Sequence, residues 1–430
     1  MNDKRMPPRA ARTRMIAAMT LTYMIFAVLL NSVGTLILQT QVGMGASKAA
    51  TSVLDAYKDL PIAVVSFLVA SMLPRLGYRR AMMLALATVA VACLSMPMLD
   101  AFWMVKVLLA TTGAAFALVK IAVYSSIGLL SEDRRGHASL TSFIEGCFMV
   151  GVLAGPWCFG LFIQRQATPT DPVWLQIYFW LAGLCAVAIA LLATTRFDES
   201  AATEAATPAA GTGGALRSHA DMLALMALPV VIVFLVSAFL YVLIEQGINT
   251  WLPTFNADVL RLSTVTSVQF GSLFAAFTAL GRLGAGVVLR RVPWHWLLAG
   301  CLVATAGLVV LALSVTVPDG APVRDGWRDA PLAAYVFPLI GLFLAPIYPT
   351  INSVVLSALP RHRHAPMTGL IVVFSALGGA TGSFVTGHTF AAFGGNTAFL
   401  LSLIPMGVLL LALLWLARLV ATPAAPAQPA

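Results

Sequence analysis

Six ionisable side chains interrupt segments of this sequence that are otherwise apolar. They are Asp55, Lys58, Asp59, Lys120, Glu145 and Glu245. A charged group within lipid costs about 2.5–3.5 kcal/mol on insertion scales, so such residues usually face a water-filled cavity and serve ions or substrates. The chemistry that these residue types offer is proton exchange and the binding of a polar or anionic solute.

Three of these charges lie within two helical turns, in TSVLDAYKDLPIAVV. Asp55 and Asp59 are four residues apart and share a helix face, and Lys58 is spaced to pair with Asp55. Two interpretations remain open. The cluster is self-neutralised and only positions its helix, or one carboxylate stays unpaired and exchanges a proton, because neighbouring carboxylates oppose each other's ionisation.

Lys120 has no carboxylate within four residues on its own predicted helix, while Tyr124 shares its face one turn later. The short turn 131–137 returns the chain antiparallel and places Glu145 about two turns into the next helix. We therefore predict a Lys120–Glu145 pair. It either braces the two helices or lines a cavity and opens when a substrate or proton binds.

Further candidate binding residues lie in two later segments. Glu245 precedes GINTWLPTF, in which Asn249 and Trp251 offer an amide and an apolar ring face to a polar, ring-shaped solute. Trp251 serves equally well as an anchor at the membrane interface. Tyr348 and Asn352 present the same alternatives in IYPTINSVV, where prolines weaken the backbone ladder.

Twelve helices must position these side chains. Only 10% of the 430 residues are charged, against about 25% in soluble domains, and a membrane-spanning helix needs about 20 mainly apolar residues. Such stretches lie at 15–41, 48–73, 79–99, 103–130, 139–163, 174–195, 221–248, 264–289, 294–316, 332–357, 366–391 and 397–418. The fold class is an all-α membrane protein with twelve transmembrane helices.

The two halves of the chain repeat each other. HASLTSFIEGCFMVGVLAGPWCFG, from His137, matches HAPMTGLIVVFSALGGATGSFVTG, from His364, at seven of 24 positions without a gap. Parallel repeats of this kind characterise two-lobed transporters. We predict two pseudo-symmetric six-helix bundles, at 1–195 and at 221–430 with a short cytoplasmic tail, joined by a polar cytoplasmic linker at 196–220.

The basic residues indicate an orientation. Of 26 Lys and Arg residues, 18 fall on the side of the predicted termini and 5 on the other side. By the positive-inside rule both termini are cytoplasmic in a multi-pass protein of the cell membrane, inner or plasma. Because this bias also explains the net charge of +9, we expect no nucleic-acid partner.

Several motifs resemble the major facilitator superfamily over essentially the whole chain. ASMLPRLGYRR occupies the place of the superfamily's basic loop between helices 2 and 3, although the first Gly and the Asp of that pattern are absent, and GRLGAGVVLRR is its counterpart between helices 8 and 9. The resemblance implies this twelve-helix fold. It also implies gating roles for Arg75, Arg79 and Arg282.

Within the superfamily, IYPTINSVVLSALP and YVLIEQGINTWLPTF are similar to helices 10 and 7 of the fucose–galactose–glucose:proton symporter group. The similarity implies sugar transport coupled to protons. The group's acids in helices 1 and 4 are absent here, near 31–34 and at Ala117, while two of its amide positions align with Glu145 and Glu245. The coupling residues of the group therefore do not carry over.

A second resemblance gives an alternative. GVLAGPWCFG is similar to the helix-5 Gly-Pro motif of proton-coupled antiporters, including drug exporters, and the resemblance implies a role in conformational change for Gly155 and Pro156. The alternative function is thus efflux of drugs or metabolites.

We expect a monomeric secondary transporter that binds a small molecule and a proton within the lipid bilayer. No phosphate-binding loop of the form Gly-x-x-x-x-Gly-Lys-Ser/Thr occurs, and the five cysteines form no metal-type pairs. We therefore expect no enzyme activity, catalytic residue, metal or cofactor. The solute is predicted to be a sugar or a sugar derivative, acidic ones included because of Lys120.

Overall fold

Twelve helical passages follow one another antiparallel along the chain. The computed structural model describes residues 9–69, 76–130, 134–195, 226, 228–314, 322–358 and 364–421, and helices account for most of them. The predicted linker at 196–220 lies outside the described residues.

The first six passages form one half. They are α1 (Arg9–Leu30 and Val33–Met44), α2 (Lys48–Thr51 and Leu54–Val69), α3 (Tyr78–Leu99), α4 (Phe102–Leu130), α5 (Arg134–Ile163) and α6 (a 3-10 turn Pro172–Gln176 and Ile177–Thr194). Within this half α4 packs on α2 and α3, α6 on α3, and α1 on α5.

The remaining six passages form the second half. They are α7 (Pro229–Asp258), α8 (Thr264–Val288), α9 (Trp294–Ser314), α10 (Leu332–Leu344 and Ile347–Ala358), α11 (His364–Phe393) and α12 (Gly395–Leu401 and Leu403–Ala421). Here α7 packs on α11 and α12, and α10 on α8 and α9.

Eleven helices among the described residues are long and apolar enough to cross a membrane. The remaining passage is α2, whose described continuous helix has only 16 residues and carries Asp55, Lys58 and Asp59. Its short described length and its three charges both keep it out of the eleven. The antiparallel order brings both ends of the chain to one face, which we call the terminal face, and the opposite face is the distal face.

Several predicted spans differ from the structure in their ends or are broken into two helices. The seventh span, predicted at 221–248, is helical over Pro229–Asp258, because neither Gly247 nor Pro253 ends it. A Cβ on Gly247 would lie 2.7 Å from Thr386 Oγ1 of α11, so the glycine serves close helix packing. The first span is broken at Asn31 and Ser32, whose side chains donate hydrogen bonds of 2.8 Å back to the preceding turn.

The halves meet along three pairs of passages, α5 with α8, α2 with α11, and α7 with the second part of α1. Large apolar side chains such as Val91, Leu161 and Leu283 are exposed on the outer surface, as expected of helices that face lipid. The polar side chains considered below lie between the halves or along the passages that bound this interface.

Candidate functional site

A buried triad of charges occupies α2. The Lys58 Nζ lies 2.8 Å from Asp55 Oδ1 and 3.4 Å from Asp59 Oδ1. The side chains of Lys58, Asp55 and Asp59 are 7%, 0% and 13% exposed. The helical period alone produces this grouping, since residues three and four apart share a face. Two carboxylates and one ammonium leave one negative charge when all three are ionised.

Asp59 also reaches the opposite half. A Cβ on Gly379 of α11 would lie 2.6 Å from Asp59 Oδ2 and 3.3 Å from Gln246 Cγ of α7. The carboxylate is therefore packed against a glycine at the interface of the two halves. A change in the charge or position of Asp59 would therefore alter the packing between the two halves at that interface.

A central cavity of about 180 Å³ lies between the halves. Its polar lining comes from α1, α2, α7 and α8, and consists of Asn31, Thr35, Lys58, Glu245, Gln246, Asn249, Thr250, Thr278 and Arg282. Apolar side chains such as Phe148 and Phe274 complete the wall. Amides and hydroxyls beside a few charged groups suit a small, polar ligand.

Glu245 and Arg282 face this cavity from neighbouring helices of the second half. The sequence placed Glu245 toward the outer end of a span predicted to finish at residue 248, and that placement is wrong because α7 extends to Asp258. Arg282 lies within the predicted span 264–289 and within α8. Glu245 is thus mid-helix, and Arg282 is an exposed cavity residue near the terminal end of α8.

The predicted Lys120–Glu145 pair does not form. Glu145 Oε1 instead accepts a hydrogen bond of 2.5 Å from the Tyr124 hydroxyl, and Lys120 makes no ion pair within 4.0 Å with any described residue. Its Nζ lies 6.0 Å from the centre of the Phe116 ring, which packs against the cavity residue Phe148. Tyr124, one turn beyond Lys120 on α4, is the residue that reaches across to α5.

The aromatic and amide candidates divide into two groups. Asn249 lines the cavity, whereas Trp251 is completely buried and donates its indole N–H to the Ser383 carbonyl at 3.0 Å. Trp251 is therefore neither a membrane-interface anchor nor a ligand contact in this conformation, since its ring packs between α7 and α11. Tyr348 bonds Ser375 Oγ at 2.8 Å.

Tyr348 and its neighbour Asn352 belong to α10 and are not among the cavity-lining residues. Tyr348 stacks on Tyr241 of α7 with ring centres 5.5 Å apart. The structure thus does not bring this pair together with Glu245 and Asn249 around one ligand-sized space.

Among the residues predicted to govern conformational change, Pro156 lines the cavity and Gly155 packs against Val28 of α1. Arg79 donates a hydrogen bond of 2.6 Å to the Thr195 carbonyl, which ties the start of α3 to the end of α6 within one half. Arg75 lies outside the described residues.

Contacts between the halves close the distal face. Lys48 Nζ of α2 lies 2.7 Å from Asp258 Oδ2 at the end of α7, and Ser52 Oγ lies 3.2 Å from His388 Nδ1 of α11. Toward the terminal face, by contrast, the cavity residue Arg282 is exposed. The cavity therefore opens toward the terminal face.

An aromatic contact adds to the distal closure. Trp157 of α5 donates its indole N–H to Ser272 Oγ of α8 at 3.1 Å. Its ring stacks on Trp327, which precedes α10, with centres 5.6 Å apart and planes at 7°. We refer to Lys48–Asp258, Ser52–His388 and Trp157–Ser272–Trp327 as the distal latch.

Sequence reasoning missed several residues of the site. Asn31, Thr35 and Gln246 line the cavity, and the available signal was their polarity within apolar runs. Neither Trp157 nor Lys48 carried such a signal, because a Trp or Lys near a span end is common at any membrane interface. Among the residues that the structure describes, no three His, Cys, Asp or Glu side chains group as a metal site would require.

Two six-helix halves around a polar cavity, closed at one end and open at the other, define a two-lobed membrane transporter. The sequence profile of the Major Facilitator Superfamily matches residues 15–382. The chain belongs to this superfamily. Among curated proteins, none matches the sequence.

Solved transporter structures share the fold at low sequence identity. The nucleoside transporter NupG is 15% identical with a TM-score of 0.68, covering 95% of this chain and 99% of its own. A bacterial homologue of the human lysosomal transporter Spinster is 12% identical with a TM-score of 0.75, covering 97% and 100%. A D-xylose–proton symporter is 14% identical with a TM-score of 0.67, covering 94% and 97%.

The fucose:proton symporter FucP of E. coli also shares the fold. It is 15% identical with a TM-score of 0.57, covering 94% of this chain and 99% of its own. The structural resemblance thus includes the symporter group whose helix motifs the sequence resembles.

Proposed function

We propose that this transporter moves a small polar solute, a sugar or sugar derivative, by alternating access and in symport with protons. The central cavity carries the proposal, because it combines hydrogen-bonding amides with the Lys58 triad, Glu245 and Arg282. Relatives in fold that transport fucose or xylose with protons support the same class of solute.

The orientation follows from the distribution of Lys and Arg. The 18-to-5 bias supports a cytoplasmic terminal face, with the protein in the inner or plasma membrane. The conformation described above is then inward-open, with the distal latch on the outer side. Release of the latch and closure of the terminal side would expose the cavity to the outside.

Asp59 is the proposed proton carrier. Its carboxylate belongs to a triad with one excess negative charge and packs against Gly379 at the interface of the halves. A proton on Asp59 would neutralise the triad and weaken the 3.4 Å contact with Lys58. Proton binding and movement of the halves would thereby be linked through one side chain.

Uptake into liposomes tests the proposal. We expect purified protein to accumulate labelled sugar when the outside is acidified, and Asp59→Asn to retain sugar exchange but lose the response to the pH gradient. Asp329→Asn, which removes an exposed carboxylate of the loop before α10, is the matched control and should keep the response.

Uptake of sugars that ignores the gradient in the wild-type protein would disprove the coupling. Antiporter function is the alternative, supported by Pro156 of the Gly-Pro motif at the cavity wall. It would appear in the same vesicles as solute movement opposite to the proton flux, and as greater sensitivity of deletion strains to a hydrophobic toxin.

A further inference from the structure

Among the described residues two cations line the central cavity, and they differ in their neighbours. Lys58 is enclosed by Asp55 and Asp59 at 2.8 Å and 3.4 Å. Arg282 lines the same cavity, is exposed to it, and has no carboxylate within 4.0 Å among the described residues. The positive charge of Lys58 is matched by carboxylates at contact distance. Arg282 interacts with the charge of Glu245 through space but forms no ion pair with it, so its N–H groups can still contact a ligand.

Arginine in such a position favours a planar anion. Its guanidinium presents paired N–H groups that match the two oxygens of a carboxylate, and charge-assisted bonds of this kind are stronger than neutral ones. The surroundings favour one negative charge over two, because Glu245 and the α2 triad already bring negative charge to the cavity. A monocarboxylate therefore fits better than a phosphate dianion.

The remaining polar groups describe the rest of the ligand. Glu245 lies on the neighbouring helix of the same half and accepts hydrogen bonds from donors. Asn31, Gln246 and Asn249 present amides to the same space. A ligand hydroxyl can donate a hydrogen bond to a carboxylate and can both donate to and accept from an amide. The cavity of about 180 Å³ is smaller than the roughly 300 Å³ at which pockets for drug-sized ligands begin, which favours a small ligand.

We propose that Arg282 binds the carboxylate of a small polyhydroxy acid, a sugar acid, whose hydroxyls face Glu245 and the cavity amides. This inference rests on the proposed function and narrows its substrate class. It also reassigns the anion preference, which the sequence suggested for Lys120, to a cation of α8 in the opposite half of the molecule.

Binding measurements with matched probes test the assignment. Sodium D-gluconate and sodium D-glucuronate are compared with D-glucose at constant sodium and ionic strength, by tryptophan fluorescence and thermal shift of the purified full-length protein. We expect the wild-type protein to bind at least one acid about tenfold or more tightly than glucose. Arg282→Gln should remove that preference, so that the acids bind no more tightly than glucose to this variant.

Two further variants keep the test decisive. Arg282→Lys retains the positive charge without the paired N–H groups of the guanidinium and should keep only part of the preference. This variant also tests the assignment if the Gln variant fails to fold. Arg290→Gln neutralises an exposed arginine just beyond the end of α8 and should behave as the wild type.

The inference is overturned if glucose and the acids bind equally to the wild-type protein, or if Arg282→Gln keeps the preference for acid. In both cases sugar binding survives, so the proposed function stands. Absence of binding by all three probes, together with no sugar uptake in liposomes, would instead remove the proposed function and this inference with it.

Discussion

At the scale of single residues, two lysines of α2 show how burial changes the contribution of an ion pair to stability. Lys58 is buried between two aspartates, whereas the side chains of Lys48 and Asp258 are 31% and 39% exposed. Solvent-exposed pairs contribute about 0–1 kcal/mol. Removing one partner of a buried pair costs about 3–5 kcal/mol, because an unmatched charge remains inside.

This difference predicts opposite outcomes for two similar substitutions. Lys58→Met should lower the melting temperature markedly, since Asp55 and Asp59 lose their only described cation partner, while Lys48→Met should change it little. The double variant Lys58→Met/Asp55→Asn should recover part of the loss. Thermal unfolding in detergent measures all three, and equal effects of the two lysine substitutions would contradict the burial argument.

At the scale of helices, glycines distinguish packing within a half from packing between halves. A Cβ on Gly113 of α4 would lie 2.2 Å from the Lys58 carbonyl oxygen of α2, within the first half. A Cβ on Gly34 of α1 would lie 2.7 Å from the Thr250 carbonyl oxygen of α7, across the interface. Only the second clash is relieved when the distal face opens.

We therefore expect Gly113→Ala to destabilise the protein and Gly34→Ala to shift it toward a distal-open state with a smaller loss of stability. Melting temperature reports the first effect. Reaction of a distal-side maleimide with the cavity variant Asn249→Cys, in a background free of native cysteines, reports the second. A Gly34→Ala protein that stays closed to the distal reagent would refute the distinction.

The helices also show what sequence could and could not predict. Runs of about 20 mainly apolar residues located the twelve spans, α2 included despite its three charges, and the helical period alone grouped Asp55 with Lys58. The Lys120–Glu145 pair failed because it required the relative rotation and axial offset of two helices, which tertiary packing determines. Trp251 was misplaced for the same reason, since its burial depends on how closely α7 approaches α11.

At the scale of the whole molecule, the one-sided opening predicts one-sided access. Asn249 lines a cavity that opens toward the terminal face, so a membrane-impermeant maleimide should modify Asn249→Cys faster from that face. In oriented vesicles, that side is expected to be the cytoplasmic one. Faster labelling from the outer side would contradict the proposed orientation, and a sugar that binds in the cavity should slow the reaction.

The excess negative charge of the α2 triad has a consequence for the energised cell. In the inward-open state this charge lies near the electrical potential of the cytoplasm, and in the outward-open state near that outside. A charge that crosses the full field gains or loses about 2.3 kcal/mol per 100 mV. With a negative cell interior, the resting voltage would favour the outward-open state of the empty, deprotonated transporter, in which the cavity can bind solute and a proton from outside.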